Sequence, residues 1–414
     1  MKINVFGSTI SALVTAGCLA ETGNQVTLIG TIPEQVAEPN LKKLLDKQIN
    51  TGALSVSENF ETEADFHFIS LSSGSCQNAL GIAEELQAKA KTTSRLVLRS
   101  NFGFPLTRQI IETSGLKTVV NPDFAPDGSA IAGFTRPDRI IVGSDDPETC
   151  EDFMRLMAPF NRNRDISIYM SPESAILTKY ATNVLIATRI SLMNELALVA
   201  EEMDADIEEV RQGLGSDKRI GFSYLYPGIG FGGESLEMDL DRVQKLIDAT
   251  GSQENLLRSV KNINQTQKEL LFRKLWTHFN CQLNNKNIAI WGLSYKPNSS
   301  SISGAPSLVM IEALLHQGSQ VHIYDPKVGK AFEQWCQESL SEQQRSQLHI
   351  FDDPYEAAKD CDALCVLTEW RQFWSPDFNK LKSSMRQPVI ADGRNLYDPV
   401  HTQSLGFTYF GVGR

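Results

Sequence analysis

Lys2 to Phe6 carries apolar residues at Ile3, Val5 and Phe6 and reads as a short buried strand, and Gly7 turns the chain. Ile10, Leu13, Val14 and Gly17 then recur at helical spacing until Gly23, after which Gln25 to Ile29 forms a second short apolar segment. Strand, turn, helix and strand in that order make a βαβ opening, which predicts a parallel sheet with helices on both faces. Further strand-like runs lie at Phe66–Leu71, Arg95–Arg99, Thr118–Val120 and Arg139–Val142, with helical segments between most of them.

The pattern changes at Ser171. Ser171 suits a helix N-cap, Pro172 the first helical position, and Glu173 the positive end of the helix dipole. No proline or glycine follows until Gly213, so a long helix is predicted over Pro172–Met203 and a second from Ile207 to Leu214. A glycine-rich loop, Pro227 to Gly233, leads into more helix as far as His278. Asn287–Gly292, Ala305–Leu315 and Gln320–Tyr324 then repeat the strand–helix–strand order. The expected fold class is α/β, with two Rossmann-like doubly wound domains joined by a long central helix and a helical middle region. The expected domains are 1–170, 171–280 and 281–414.

Composition narrows the partners. A chain of 414 residues is too long for one core, and 41% hydrophobic with 21% charged residues is ordinary for a globular enzyme. The net charge of −11, with no Lys/Arg run, argues against nucleic acid or an anionic membrane. No uninterrupted apolar stretch reaches the roughly 18 residues of a membrane span. Seven scattered cysteines contain no C-x-x-C pair, which fits a reducing cytoplasm and offers no metal-ligand set.

Several motifs occur in a fixed order. They are Lys179-Tyr180-Ala181-Thr182-Asn183 with Asn194-Glu195; Asp217 to Gly221 leading to the glycine loop and Asp239; and Trp291 to Asn298 with Ala305-Pro306-Ser307 and Tyr324-Asp325-Pro326. Leu367-Thr368-Glu369-Trp370, Asp392-Gly393-Arg394-Asn395 and Gly411 to Arg414 complete the set. The set resembles the nucleotide-sugar 6-dehydrogenases, the UDP-glucose/GDP-mannose dehydrogenase family, along nearly the whole chain. The resemblance implies a dinucleotide-binding first domain, a central dimerisation region and a C-terminal UDP-binding domain. It implies oxidation of C6 of a nucleotide-linked hexose, twice, with NAD as acceptor. In that family a cysteine captures the intermediate aldehyde, and water releases the uronic acid from a thioester.

The resemblance carries over residue by residue. Lys179, Asn183 and Asp239 match catalytic positions, while Phe231, Gly232, Arg219 and Lys296 match substrate-binding ones. The family loop reads G-x-G-G-x-C-x-x-K-D, but here Ser235 stands at the cysteine and Met238 at the lysine. A serine hydroxyl is hardly ionised near neutral pH and needs an adjacent base to attack an aldehyde. Asp123 and Asp127 fall where the family has two glutamates, on the substrate and catalytic sides respectively, and each is one methylene shorter. Asn101 replaces a threonine near the cofactor, and Ser303 replaces an arginine.

The dinucleotide fingerprint is altered too. Gly7 keeps the first glycine of G-x-G-x-x-G, Thr9 replaces the second, and Ala12 is a tolerated third. Gly30 stands where the second strand should end in an acid for the ribose hydroxyls. The expectation is a cytoplasmic homodimer that binds a nucleotide-sugar, a UDP-hexose, with impaired or absent four-electron oxidation and weak NAD binding. The alternative is a non-catalytic nucleotide-sugar-binding or regulatory paralogue.

Overall fold

The computed structural model describes all residues except 35, 37, 126, 127, 163, 253, 254 and 328. The chain forms two compact units, Met1–Ala181 and Thr182–Arg414. The first holds an eight-stranded sheet: β1 (Lys2–Phe6), β2 (Gln25–Ile29), β3 (Leu54–Ser57), β4 (Phe66–Ile69), β5 (Arg95–Leu98), β6 (Lys117–Val120), β7 (Ile140–Gly143) and β8 (Ser167–Met170). Its order is β3-β2-β1-β4-β5-β6-β7-β8. The strand order reverses between β1 and β4, the place where open α/β sheets bind ligands. All pairs are parallel except β6 with β7, which meet antiparallel through Val120 and Gly143. The expected all-parallel sheet is therefore corrected at this join. A Cβ on Gly143 would lie 2.5 Å from the Ala175 methyl, so only glycine lets the long helix pack this closely on β7.

The first unit's core is built as the periodicity requires. Val5, Leu28 and Phe68 from the central strands and Leu13 and Leu19 from the helix Ile10–Glu21 are fully buried together. That helix is apolar nearly all round and is buried from Ala12 to Ala20.

The long helix spans Pro172–Glu202, one residue short of the expected end. The Ser171 hydroxyl accepts the Ser174 N–H at 3.2 Å, the cap that the sequence suggests. An 18-residue window of this helix reaches a mean hydropathy of 1.3, so by length and composition alone it passes for a membrane span, although polar residues interrupt every apolar run in it. Exposed apolar residues, among them Leu185, Leu192 and Val199, add to the buried ones, and Met203 follows directly after the helix.

The second unit contains the rest of that helix, helices Ile207–Ser216, Glu234–Ala249 and Leu256–Lys268, and a six-stranded sheet. Its strands are β9 (Asn287–Trp291), β10 (Gln320–Tyr324), β11 (Leu348–Ile350), β12 (Ala363–Val366), β13 (Val389–Asp392) and β14 (Thr408–Phe410). The order β11-β10-β9-β12-β13-β14 repeats that of the first six strands of the other unit, and every pair is parallel. Two α/β units with parallel sheets and a long helix are the architecture expected from the two βαβ patterns.

Candidate functional site

In the first unit the chemistry gathers at the C-terminal edge of the sheet beside β1. Register aligns Phe6 with Ile29 and Ile29 with Ser57. One residue further along, Gly7, Gly30 and Glu58 therefore stand in a row across three strands. Gly7 has φ 134°, and a Cβ there would lie 2.3 Å from the Ser70 carbonyl oxygen. A Cβ on Gly30 would lie 2.4 Å from the Gly7 carbonyl oxygen. The missing acid at Gly30 is thus enforced by backbone on backbone, and no side chain fits.

Thr9 is the N-cap of the first helix. Its hydroxyl donates to the Ser70 carbonyl at 2.8 Å and accepts from the Ala12 N–H at 3.2 Å. It therefore occupies a first-turn donor that a pyrophosphate would otherwise meet. Ala12 is fully buried, so its methyl takes the place of close helix–strand packing. Around this turn lies a cavity of about 580 Å³ bounded by Gly7, Thr9, Gly30, Glu58, Asn78 and Glu85, among others.

Asp123 sits on the other side of the switch, after β6. Arg99, buried at the end of β5, approaches its carboxylate at 3.3 Å and also bonds Asn121. Burial pushes the Asp123 carboxyl up. The Arg99 charge opposes this, helped by the Ala125 N–H and by Lys179, and the net result lies below the usual carboxylate value. Lys179 Nζ stands 5.2 Å from the centre of the Phe124 ring, which also meets the Arg139 guanidinium at 4.4 Å. Asn101 is half-buried in the turn after β5. Asp127 lies outside the described residues.

In the second unit, Asn183 and Asp239 come together although 56 positions separate them. The Asn183 amide donates to one oxygen of the fully buried Asp239 carboxylate at 2.7 Å, and Arg242 holds the other at 3.2 Å. Ser235 lies in the first turn of the helix Glu234–Ala249 and is exposed. No described side chain hydrogen-bonds its hydroxyl.

The glycine loop before it is clamped. Asn264 bonds both the N–H and the carbonyl of Phe231, at 2.8 and 3.0 Å, and Asn194 accepts the Gly228 N–H at 2.9 Å. A Cβ on Gly232 would lie 2.6 Å from the Gly304 carbonyl oxygen, and one on Gly233 would lie 2.8 Å from the Tyr295 ring. These contacts join the loop to the turn that carries Lys296, whose Nζ stands 5.4 Å from the centre of the Tyr295 ring. Ser303 contributes its carbonyl to the Gly233 N–H at 2.8 Å. Arg219 stays apart. Its side chain is 87% exposed and is held by the neighbouring Asp217.

Sequence reasoning missed Arg99 and Glu58. Arg99 was legible only as the end of a strand, and a charged residue at the C-terminal end of a central strand is the signal that could have found it. Glu58 follows a strand that the pattern did not reveal.

Three family models match the chain in order. They describe the NAD binding domain (residues 1–161), the central domain (173–266) and the UDP binding domain (289–399) of the UDP-glucose/GDP-mannose dehydrogenase family. The UDP-glucose 6-dehydrogenase of Pseudomonas aeruginosa PAO1 is 36% identical, with 100% of this chain and 98% of that protein aligned. The UDP-glucose 6-dehydrogenase of Rhizobium meliloti is 29% identical, with both chains covered in full. Among solved structures, a UDP-glucose dehydrogenase from Pyrobaculum islandicum superposes with a TM-score of 0.86 at 23% identity, covering 100% of this chain and 97% of the other.

Proposed function

Because the chain belongs to the UDP-glucose/GDP-mannose dehydrogenase family, we propose that it binds a UDP-hexose and NAD but fails to carry C6 through to the uronic acid. The observation behind this reading is Ser235, exposed in the first turn of its helix with no described side chain hydrogen-bonded to its hydroxyl. A thiolate would add to an aldehyde and later leave, whereas a neutral hydroxyl without a base does neither well.

The cofactor fits the first unit in part. Gly7 and Gly30 keep the sheet edge bare, forming a cradle that any Cβ would fill. Thr9 narrows the pyrophosphate end by capping the helix. NAD, when bound, supplies the acceptor for the electrons that leave C6.

The remaining roles belong to the chain's own side chains. Lys179, Asn183 and Asp239 serve the alcohol step. Asn183 and Arg242 hold the Asp239 carboxylate in one orientation, so it can accept a proton along a fixed direction. Asp123 and Asp127 lack the reach of glutamates, and a misplacement of about 1 Å costs on the order of a hundredfold in rate. Phe231, Gly232 and Lys296 face the nucleotide-sugar.

We further propose a homodimer formed through Leu185, Leu192 and Val199, whose spacing puts all three on one helix face, and through Met203 directly after the helix. The cytoplasmic assignment rests on the sequence, whose seven scattered cysteines contain no C-x-x-C pair. A second reading, a nucleotide-sugar-binding or regulatory paralogue without turnover, draws on the Thr9 cap. The test is incubation with NAD and a panel of UDP- and GDP-hexoses, following the absorbance of the reduced cofactor and the mass of the product. The proposal expects nucleotide-sugar binding with little or no uronate. Sustained uronate formation overturns it.

A further inference from the structure

We propose that Glu58 is the ribose-binding carboxylate of the cofactor site, and that with Glu85 it makes the site select NAD over NADP. The inference rests on the reading of the first unit as an NAD site.

Three observations carry it. The end of β2, where such folds place the acid, is closed. A Cβ on Gly30 would meet the Gly7 carbonyl oxygen at 2.4 Å and the Ser8 hydroxyl at 2.9 Å. The Ser8 hydroxyl is in turn bonded by the Thr31 N–H at 2.8 Å, which ties the chain after β2 against the β1 turn.

The neighbouring position offers a replacement. The last register pair of β2 and β3 is Ile29 with Ser57, so Glu58 follows β3 as Gly30 follows β2. Parallel strands lie about 4.8 Å apart. The acid is therefore displaced by one strand, and glutamate is one methylene longer than aspartate, which lengthens its reach towards the vacated place. Glu58 and Gly30 border the same cavity of about 580 Å³.

The turn that carries Glu58 is fixed. The Ser57 hydroxyl donates to the Asn59 carbonyl at 2.8 Å and accepts the Asn59 N–H at 3.0 Å. Phe60 packs edge-on against Phe6 and His67, each at 5.7 Å between ring centres. An exposed glutamate on a loose turn is ordinarily a solvated charge. This one stands on an anchored turn that borders the cavity.

A carboxylate accepts hydrogen bonds from both hydroxyls of a ribose and repels a phosphate in place of one of them. The charged side chains lining the cavity among the described residues are Glu58 and Glu85, with no Lys or Arg beside them. A 2′-phosphate would therefore meet two carboxylates and no cation.

Ligand-observed NMR titration with NAD, NADP and ADP-ribose tests this on the full chain. Unmutated protein should bind NAD and ADP-ribose at least tenfold more tightly than NADP. Glu58→Gln should weaken NAD and ADP-ribose by about ten- to a hundredfold, the scale of a charge-assisted hydrogen bond. It should also bring NADP towards parity with NAD. Glu58→Asp should fall between. Glu58 is exposed, so the variants should melt with the unmutated protein. UDP titrated in parallel reports on the rest of the chain. NAD binding that is unchanged in Glu58→Gln overturns the assignment and leaves the cofactor reading intact. Unmutated protein that binds none of the three adenosine ligands overturns both.

Discussion

The closed place at Gly30 makes a prediction opposite to the one its sequence suggests. By analogy with other dinucleotide folds, Gly30→Asp looks like a repair that restores the ribose acid. In this fold the new Cβ would stand 2.4 Å from the Gly7 carbonyl oxygen, where ordinary contact begins at 3.4 Å. The backbone of β1 or β2 must therefore move by about 1 Å, and neither strand is at an edge. Overpacking of that kind costs about 1–3 kcal/mol. In a unit of this size each kcal/mol lowers the melting temperature by about 2–4 °C, so a loss of about 2–12 °C is expected in calorimetry. Gly30→Ala should lose nearly as much, because the methyl group alone makes the clash. Neither variant should bind NAD more tightly than the unmutated protein. A Gly30→Asp protein that melts normally and gains NAD affinity would refute the steric reading.

Ser235→Cys alone should not yield uronic acid by mass spectrometry, because Thr9 still caps the pyrophosphate turn and both acids remain a methylene short; substantial turnover from this single change would show that the cofactor site is sound. Calorimetry of the unmutated protein should give a dissociation constant for NAD well above the micromolar range, and a tight value would revive a full enzyme. Leu192→Glu combined with Val199→Glu should shift light scattering from dimer to monomer, and an unmutated protein that is already monomeric contradicts the proposed interface. Burial pushes the His67 imidazole down to about 4 from its usual 6.5, with the Lys91 charge adding to the effect. The unfolded chain takes up that proton first, so stability is full above about pH 6.5 and falls as the pH drops to about 4. The loss is on the order of 3 kcal/mol, and His67→Gln should flatten it in urea titrations across that range.

Much of the fold was legible because its central strands are short and mostly apolar, and β4, β5, β7, β12 and β13 are buried along their whole length. β1, β2 and β10 match the expected segments to the residue, since each carries its apolar residues in a short run bounded by turn residues, with Ile3, Val5, Val26, Leu28, Val321 and Ile323 buried. β3 and β8 were not legible. Each lies at an edge of the sheet, and β3 buries only Leu54, so neither leaves a run to read. The loss of β3 hid Glu58 with it. The glycine loop and the absent acid at Gly30 stand in the sequence, but the reason for that absence is a carbonyl on another strand. The pairing of Asn183 with Asp239 depends on packing between two helices, which no local pattern encodes.

The central claim, that oxidation does not reach the uronic acid, is tested most directly by stoichiometry. Purified unmutated protein is given NAD and UDP-glucose, and the reduced cofactor formed is counted against the sugar consumed while the product is weighed by mass spectrometry. The account predicts no accumulating UDP-uronate and fewer than two reduced cofactors for each sugar consumed. Two reduced cofactors and one uronate for each sugar, over many turnovers, would contradict it.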